Sequence, residues 1–265
     1  MNYRTGGLDF FGGINYARNT SRQESNLEKQ TFGIKADGSD WLFENKSTLM
    51  NEYIGSTIYG NAGVNWQMAD NHFLGGKVEW GRHLTYNVRT EVNDNVFENG
   101  TLTDKLNTVS EDIIGDRIPY NLGANIYYNG VVGGKLGIDV NLDYYGTDDS
   151  SKSASEETSE MTHNAAIQSG STNAGRMYAA KAVLSYPIWK GQLQAGTEET
   201  FSRRTDNYSI AGITIPASEA SVKEDNIAGF ASYGCYIPAV GQFSAGVRYE
   251  ISRSEERRVG KECRS

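Results

Sequence analysis

Apolar and polar residues alternate strictly over long stretches of this chain. From Thr57 to Met68 one side carries Ile58, Gly60, Ala62, Val64, Trp66 and Met68, and the other Thr57, Tyr59, Asn61, Gly63, Asn65 and Gln67. After Ala69-Asp70-Asn71 the next segment sets Leu74, Gly76, Val78, Trp80, Leu84, Tyr86 and Val88 against Lys77, Glu79, His83, Thr85, Asn87 and Arg89, with Arg82 as the one charge on the apolar side. A period of two held this long predicts strands, since successive side chains of a strand point to opposite faces.

The same reading recurs at Leu8–Tyr16, Ile118–Tyr128, Leu136–Tyr144, Tyr178–Ile188, Leu193–Thr197 and Phe243–Ile251, and less clearly over Ile227–Ile237. Short links at Ala69–Asn71, Gly130–Gly133, Trp189–Gly191 and Ala239–Gly241 alternate with long polar connections at Asn19–Ile54, Glu91–Asp116, Thr147–Asn173 and Thr205–Asp225. Asp37-Gly38 reads as a hairpin tip inside the first of these. Thr147–Asn173 is rich in Ser, Thr and Glu and reads as a loop. Nine strands are counted, with no domain boundary between them.

Alternation alone fits a soluble sandwich as well as a membrane barrel. Three features favour the barrel. The alternating segments are about twice the usual strand of roughly 5–6 residues, and a tilted membrane strand needs about 9–11. Short and long connections alternate as periplasmic turns and extracellular loops do. Aromatic residues also recur in register: Tyr120 and Tyr128 are eight residues apart, as are Tyr178 and Tyr186, while Trp66 and Trp189 adjoin short turns. Eight tilted residues rise about 21 Å, close to the roughly 25 Å apolar band between aromatic girdles. Trp66, Trp80, Tyr120, Tyr128, Tyr144, Tyr178, Tyr186 and Trp189 are therefore girdle candidates. Lys77, Glu79, His83, Arg89, Asp139, Asp143, Arg248 and Glu250 are expected to face the lumen.

Composition adjusts this picture without overturning it. The 265 residues include 30 Gly, 16 Tyr, only 4 Pro and 2 Cys, and the net charge is −8. An acidic chain without a basic stripe is not expected to bind nucleic acid. No run approaches 18 apolar residues, which excludes a membrane-spanning helix; low mean hydropathy (−0.55) does not exclude a barrel, half of whose strand residues face water. Residues 253–265, Arg253-Ser-Glu-Glu-Arg-Arg-Val-Gly-Lys-Glu-Cys-Arg-Ser265, break the alternation and resemble translated sequencing-adapter read-through. The expected division is thus a barrel segment at 1–252 and a non-native tail at 253–265. Removing the tail leaves 20 Lys and Arg, 30 Asp and Glu, a net charge of −10 and Cys235 alone.

Candidate chemistry is sparse. His72, His83 and His163 lack metal-ligand spacing, so no metal is expected. Asp148-Asp149, Glu156-Glu157 and Glu198-Glu199 are sequence neighbours, which a strand turns to opposite faces, so neither member of a pair assists the other in acid–base work. Without a nucleophile elbow or a strand–helix phosphate loop, no cofactor and no enzyme activity are expected.

Gly7-Leu-Asp-Phe-Phe-Gly-Gly-Ile-Asn-Tyr-Ala-Arg18, Tyr59-Gly-Asn-Ala-Gly-Val-Asn-Trp66, Asp70-Asn-His-Phe-Leu-Gly-Gly76 and Gly241-Gln-Phe-Ser-Ala-Gly-Val-Arg-Tyr-Glu250 resemble the barrel portion of the TonB-dependent-receptor-like outer-membrane β-barrel family of Gram-negative bacteria. The resemblance spans most of Tyr3–Ser252. It implies a place in the cell outer membrane and contact with its lipid. Further barrel strands, a plug domain and an unidentified solute are the other implied partners. The fold class expected is all-β: an antiparallel transmembrane β-barrel fragment of about nine long meander strands, forming an open curved sheet with bare edges near Asp9–Ala17 and Phe243–Ile251. The expected function is solute binding or passage across the outer membrane without covalent chemistry. The alternative is a plugless barrel for adhesion or surface scaffolding.

Overall fold

The computed structural model describes residues 1–35, 37–161, 164–211, 216–238 and 240–260; His163 and the end of the tail lie outside them. The described residues form one antiparallel sheet: β1 (Asn2–Thr5), β2 (Leu8–Ile34), β3 (Asp40–Ala69), β4 (His72–Glu98), β5 (Thr101–Ile114), β6 (Tyr120–Val132), β7 (Leu136–Ser159), β8 (Ala165–Ile188), β9 (Gly191–Ala211), β10 (Ser218–Ile237) and β11 (Gly241–Gly260). Each strand pairs with its neighbour in sequence except at one place. There β5 pairs with the far end of β4 (Asn87–Glu98) and β6 with the near end (His72–Arg82), and both pair with β7 on their other side. β5 and β6 are thus one strand broken at residues 115–119. Pro119 lacks the N–H a ladder needs, and the Gly115 N–H instead reaches Ser150 O at 2.8 Å. With that strand counted once and β1 as a stub, nine full-length strands remain, as the alternation predicts.

The sheet is open. β11 pairs only with β10. On the opposite edge, β1 covers just Leu8–Phe11 of β2. The first polar stretch is the extended hairpin that its Asp37-Gly38 tip suggests, with β2 and β3 paired from Leu8–Trp66 to Ile34–Asp40. Thr147–Asn173, read from sequence as a loop, is corrected: β7 and β8 stay paired from Gly137–Ser185 to Glu157–Ala165. Neither stretch has an apolar face, so periodicity could not reveal the strand. The ladder continues because backbone pairing, once registered below, satisfies every second N–H and C=O whatever the side chain.

Tight turns close the hairpins. Asn99-Gly100, with φ of 50° and 80°, is the left-handed pair that a two-residue hairpin demands, and Gly133-Gly134, at 59° and 71°, begins the three-residue link from Val132 to Leu136. Register shifts interrupt the ladders at Ser56/Thr57 and Gln67/Ala69 on β3 and at Val96/Phe97 on β4. At the first, Ser56 faces Thr85 but Thr57 faces His83, leaving Leu84 without a partner. Everything beyond Leu84 on β4 changes face relative to the segment before it.

The sheet encloses almost no core. Its accessible area is 18202 Å², against about 11,500 Å² for a compact chain of 29.2 kDa. Ala228 is the one buried hydrophobic residue among those described. None of the helices needed to cover such a sheet forms among the described residues, and so no helix is long and apolar enough to cross a membrane.

Candidate functional site: the two faces of the sheet

Residues directly opposite each other on antiparallel strands share a face, so the register sorts the side chains. One row runs Leu8, Trp66, Leu74, Tyr128, Val140, Ala182, Thr197, Gly229 and Tyr249. The next on the same face runs Phe10, Val64, Gly76, Ile126, Leu142, Ala180, Glu199, Ile227 and Ile251. This face is apolar and bare: Ile14 is 83% exposed, Val247 75% and Tyr178 56%.

Aromatic residues gather at both ends of that band. Near the short turns stand Trp66, Tyr128, Tyr186 and Tyr233, the last meeting the ring of Trp189 edge-on at 6.5 Å. Trp189 itself occupies the turn, with φ of 53°. At the other end are Tyr16, Trp80, Tyr120 and the pair Tyr144–Tyr178, whose ring centroids are 5.1 Å apart.

The opposite face is polar, and its side chains bond to each other across strands. The Asn125 amide donates to Asn141 Oδ1 (2.9 Å) and Asp143 Oδ1 (2.7 Å), and that of Asn129 to Asp139 (3.1 Å). Tyr127 donates to Asn65 at 2.8 Å, and Lys77 pairs with Glu79 at 2.7 Å. Glu198 is a hub, holding Lys181 at 2.6 Å and Arg248 at 2.5 Å, while Arg248 also reaches Glu250 at 3.1 Å. A depression of about 540 Å³ lies beside this hub, lined by Asn129, Asp139, Lys181, Val183, Gln194 and Phe230 among others. The Lys181 amine sits 5.9 Å from the Phe230 ring centre.

The register puts Lys77, Glu79, His83, Asp139, Asp143, Arg248 and Glu250 on this one face. Arg89 is corrected. The leftover Leu84 turns it to the other side, in a row with Glu52 and Glu111, and it bonds Glu111 at 3.2 Å. Lys181, Asn125, Asn141 and Tyr127 were not singled out from sequence, and Glu198 was weighed only beside its sequence neighbour Glu199. Their alternation with apolar neighbours was legible, but which strand each would meet was not.

At the long-hairpin end the side chains pin two tips together. Lys35 Nζ and Trp41 Nε1 both donate to Glu98 Oε1, at 3.0 and 3.2 Å, and the Leu42 N–H donates to Asn99 Oδ1 at 2.8 Å. The ammonium of Lys35 holds the Glu98 carboxyl below the usual carboxylate range. Glu28 holds the Lys46 ammonium above the usual range.

No family model and no curated protein matches the chain. Among solved structures, the toluene transporter TodX of Pseudomonas putida is 10% identical, with 95% of this chain and 90% of that one covered and a TM-score of 0.25. OmpT, an outer membrane protein of Vibrio cholerae, is 12% identical, with coverage of 91% and 99% and a TM-score of 0.14. LpxR from Salmonella typhimurium is 9% identical, with coverage of 74% and 88% and a TM-score of 0.12. The expectation that this chain is not an enzyme is withdrawn. OmpT and LpxR, whose names state no transport role, stand among the chains that match. The physical ground for that expectation was also too narrow. It weighed motifs and residues within single segments of sequence, whereas the register brings polar groups together from separate strands.

Proposed function

We propose that this chain is part of an outer-membrane β-barrel of receptor or transporter type, with its apolar face against lipid and its polar face toward a water-filled lumen that binds or passes a solute. One observation carries the reading: a sheet of nine long strands with almost no core leaves a face that is apolar apart from Glu199 bare between two aromatic belts. In water such an area is a liability; in a bilayer it is the stable arrangement, because the inner strands pair their backbone groups on both sides and lipid covers the apolar side chains. The bonded polar face supports the lumen assignment, and Asp139 and Asp143, bonded by amides rather than cations, supply acceptors for a solute. The bare edges of β2 and β11 are where further barrel strands would pair. The Gly-, Asn- and Tyr-rich strands support a barrel like those of TonB-dependent receptors, with a plug against the polar face. The residues from 253 onward are proposed to be foreign to that barrel.

The test is spin labelling after reconstitution into phosphatidylcholine vesicles, with Cys235 and Cys263 replaced by Ser. Labels at Val78→Cys, Ile126→Cys and Leu142→Cys are expected to relax with oxygen dissolved in the bilayer. Labels at Lys77→Cys, Asn125→Cys and Asp143→Cys are expected to relax with a water-soluble nickel chelate. Equal response to the chelate on both faces would overturn the proposal.

A further inference from the structure

Just past the upper aromatic belt, on the apolar face, the charge reverses. Arg176, Arg203 and Lys223 are direct partners across β8, β9 and β10. Three like charges in one row destabilise a sheet unless an anion offsets them. Among the described residues none of the three makes an ion pair with a carboxylate. Glu255, which continues the row on β11, is taken by Arg253. Arg176 is instead held in place by neutral groups: it donates to Thr147 O and Gly175 O, each at 2.7 Å, and to Tyr120 Oη at 2.9 Å. Arg82, opposite Tyr120, has a buried Nε without a hydrogen-bond partner, and Arg117 reaches Asp148 at 3.5 Å. Asp225 stands in the adjoining row of the same face, opposite Phe201, but among the described residues it pairs with none of the three cations. In a chain with a net charge of −8, three cations that make no ion pair thus stand side by side on one face.

The position of that band decides what the cations meet. Phe201 and Tyr178, partners two residues below Arg203 and Arg176, are exposed members of the aromatic end of the apolar band. In a barrel oriented as proposed above, on which this inference rests, the row lies at the depth of lipid headgroups. Guanidinium groups match phosphate oxygens in bidentate geometry, and basic side chains at that depth attract anionic lipid. We propose that Arg176, Arg203 and Lys223 form a binding site for the phosphate of an anionic lipid headgroup, with Arg82 and Arg117 extending it toward β4.

The experiment uses the whole chain in vesicles with one reporter tryptophan, Phe201→Trp, placed after Trp41, Trp66, Trp80 and Trp189 have been changed to Phe. Its fluorescence is quenched by brominated phosphatidylcholine or brominated phosphatidic acid in mixed bilayers. Phosphatidic acid is expected to be enriched at the reporter by about fivefold for each basic group engaged, falling as salt rises. Arg203→Gln with Lys223→Gln should bring the enrichment close to one while circular dichroism keeps its β signature. Arg176→Gln alone should lower it partly. Inorganic phosphate added to the buffer should not compete; if it abolishes the enrichment, the site takes free phosphate and the lipid assignment falls. Enrichment unchanged in the double variant overturns the site. Quenching by phosphatidylcholine without preference for phosphatidic acid also overturns it, while leaving the membrane reading intact. If neither brominated lipid quenches the reporter, the membrane reading fails and takes the site with it.

Discussion

The two halves of β7 differ more than most separate strands do. From Leu136 to Tyr144 the strand sets Leu136, Ile138, Val140, Leu142 and Tyr144 against Asp139, Asn141 and Asp143, and pairs with β6 on one side and β8 on the other. From Ser151 to Ser159 it carries Ser, Lys, Ala, Glu and Thr on both faces, yet pairs with β5 and β8 just as completely. The hydrogen-bond ladder is the same; the surroundings its side chains ask for are not. In the lower half one face is apolar and the other polar, and a slip of one residue would put Asp143 in the apolar face. In the upper half a slip costs little, so register is inherited from below and from the turns.

The sharpest way to break this comparison is an arginine on the same face of each half. Leu142→Arg places a charge in the middle of the apolar band and is expected to destabilise the chain in vesicles by about 2–4 kcal/mol. Ala154→Arg, also on β7 and on the same face by parity, should stay within about 0.5 kcal/mol. Urea-unfolding midpoints in the bilayer measure both. Equal losses would mean that the apolar band has no special environment.

A smaller effect is expected where the upper half does depend on one residue. Gly100 adopts φ of 80° at the tip joining β4 and β5. Gly100→Val forces a branched side chain into the left-handed region, at a cost of about 1–2 kcal/mol. Amide exchange should quicken in the paired stretch Asn87–Glu98 with Thr101–Ile113 and stay unchanged in His72–Arg82. Faster exchange on both stretches of β4 would show that the halves are one cooperative unit.

This division also explains what the sequence could disclose. Alternation located the lower halves of all nine strands, because one face there is apolar and the other polar. Tyr120 and Tyr128 fall on one face at opposite ends of the band, and their role as girdles belongs to the membrane reading proposed above. Of the upper halves, the one tipped by Asp37-Gly38 was legible as a hairpin, whereas Thr147–Asn173 was read as a loop, since a two-sided polar segment such as Ser151–Ser159 has no period to detect. Asn99-Gly100 was the signal that could have revealed another of these hairpins. Arg89 went to the wrong face because a bulge at Leu84 leaves no mark in composition. The hub of Lys181, Glu198 and Arg248 needed register across three strands, which no single strand encodes. The cationic row of Arg176, Arg203 and Lys223 was hidden in the same way: each residue looks unremarkable on its own strand.

Charge should contribute least on the polar face of the lower half. Glu198→Gln removes the carboxylate that joins Lys181 and Arg248; the two cations are about half exposed and Glu198 is 30% exposed, so solvent screens the pairs. The unfolding midpoint is expected to fall by less than it does for Gly100→Val, with exchange rising only where β8, β9 and β11 approach the hub. A loss as large as that of Leu142→Arg would mean that the polar network, rather than the apolar band, holds this half together.

The smallest effect expected is that of pH on the pinned tips, and its sign follows from two groups. Glu98 titrates below the ordinary carboxylate value of 4.5 because Lys35 donates to it. Its contribution is therefore complete above that value and is lost as pH falls through the depressed one. Lys46 titrates above the ordinary 10.5 because Glu28 accepts from it. Its contribution is complete below that value and is lost as pH rises through the raised one. Both groups are exposed, so salt weakens both effects. Amide exchange at Trp41–Phe43 and Phe97–Asn99, corrected for intrinsic rates, should quicken in acid at low ionic strength, while His72–Arg82 stays protected. In Glu98→Gln the acid step should disappear. If it persists in that variant, a group other than Glu98 sets the acid limit of the upper half, and the pin of Lys35, Trp41 and Glu98 does not hold the tips.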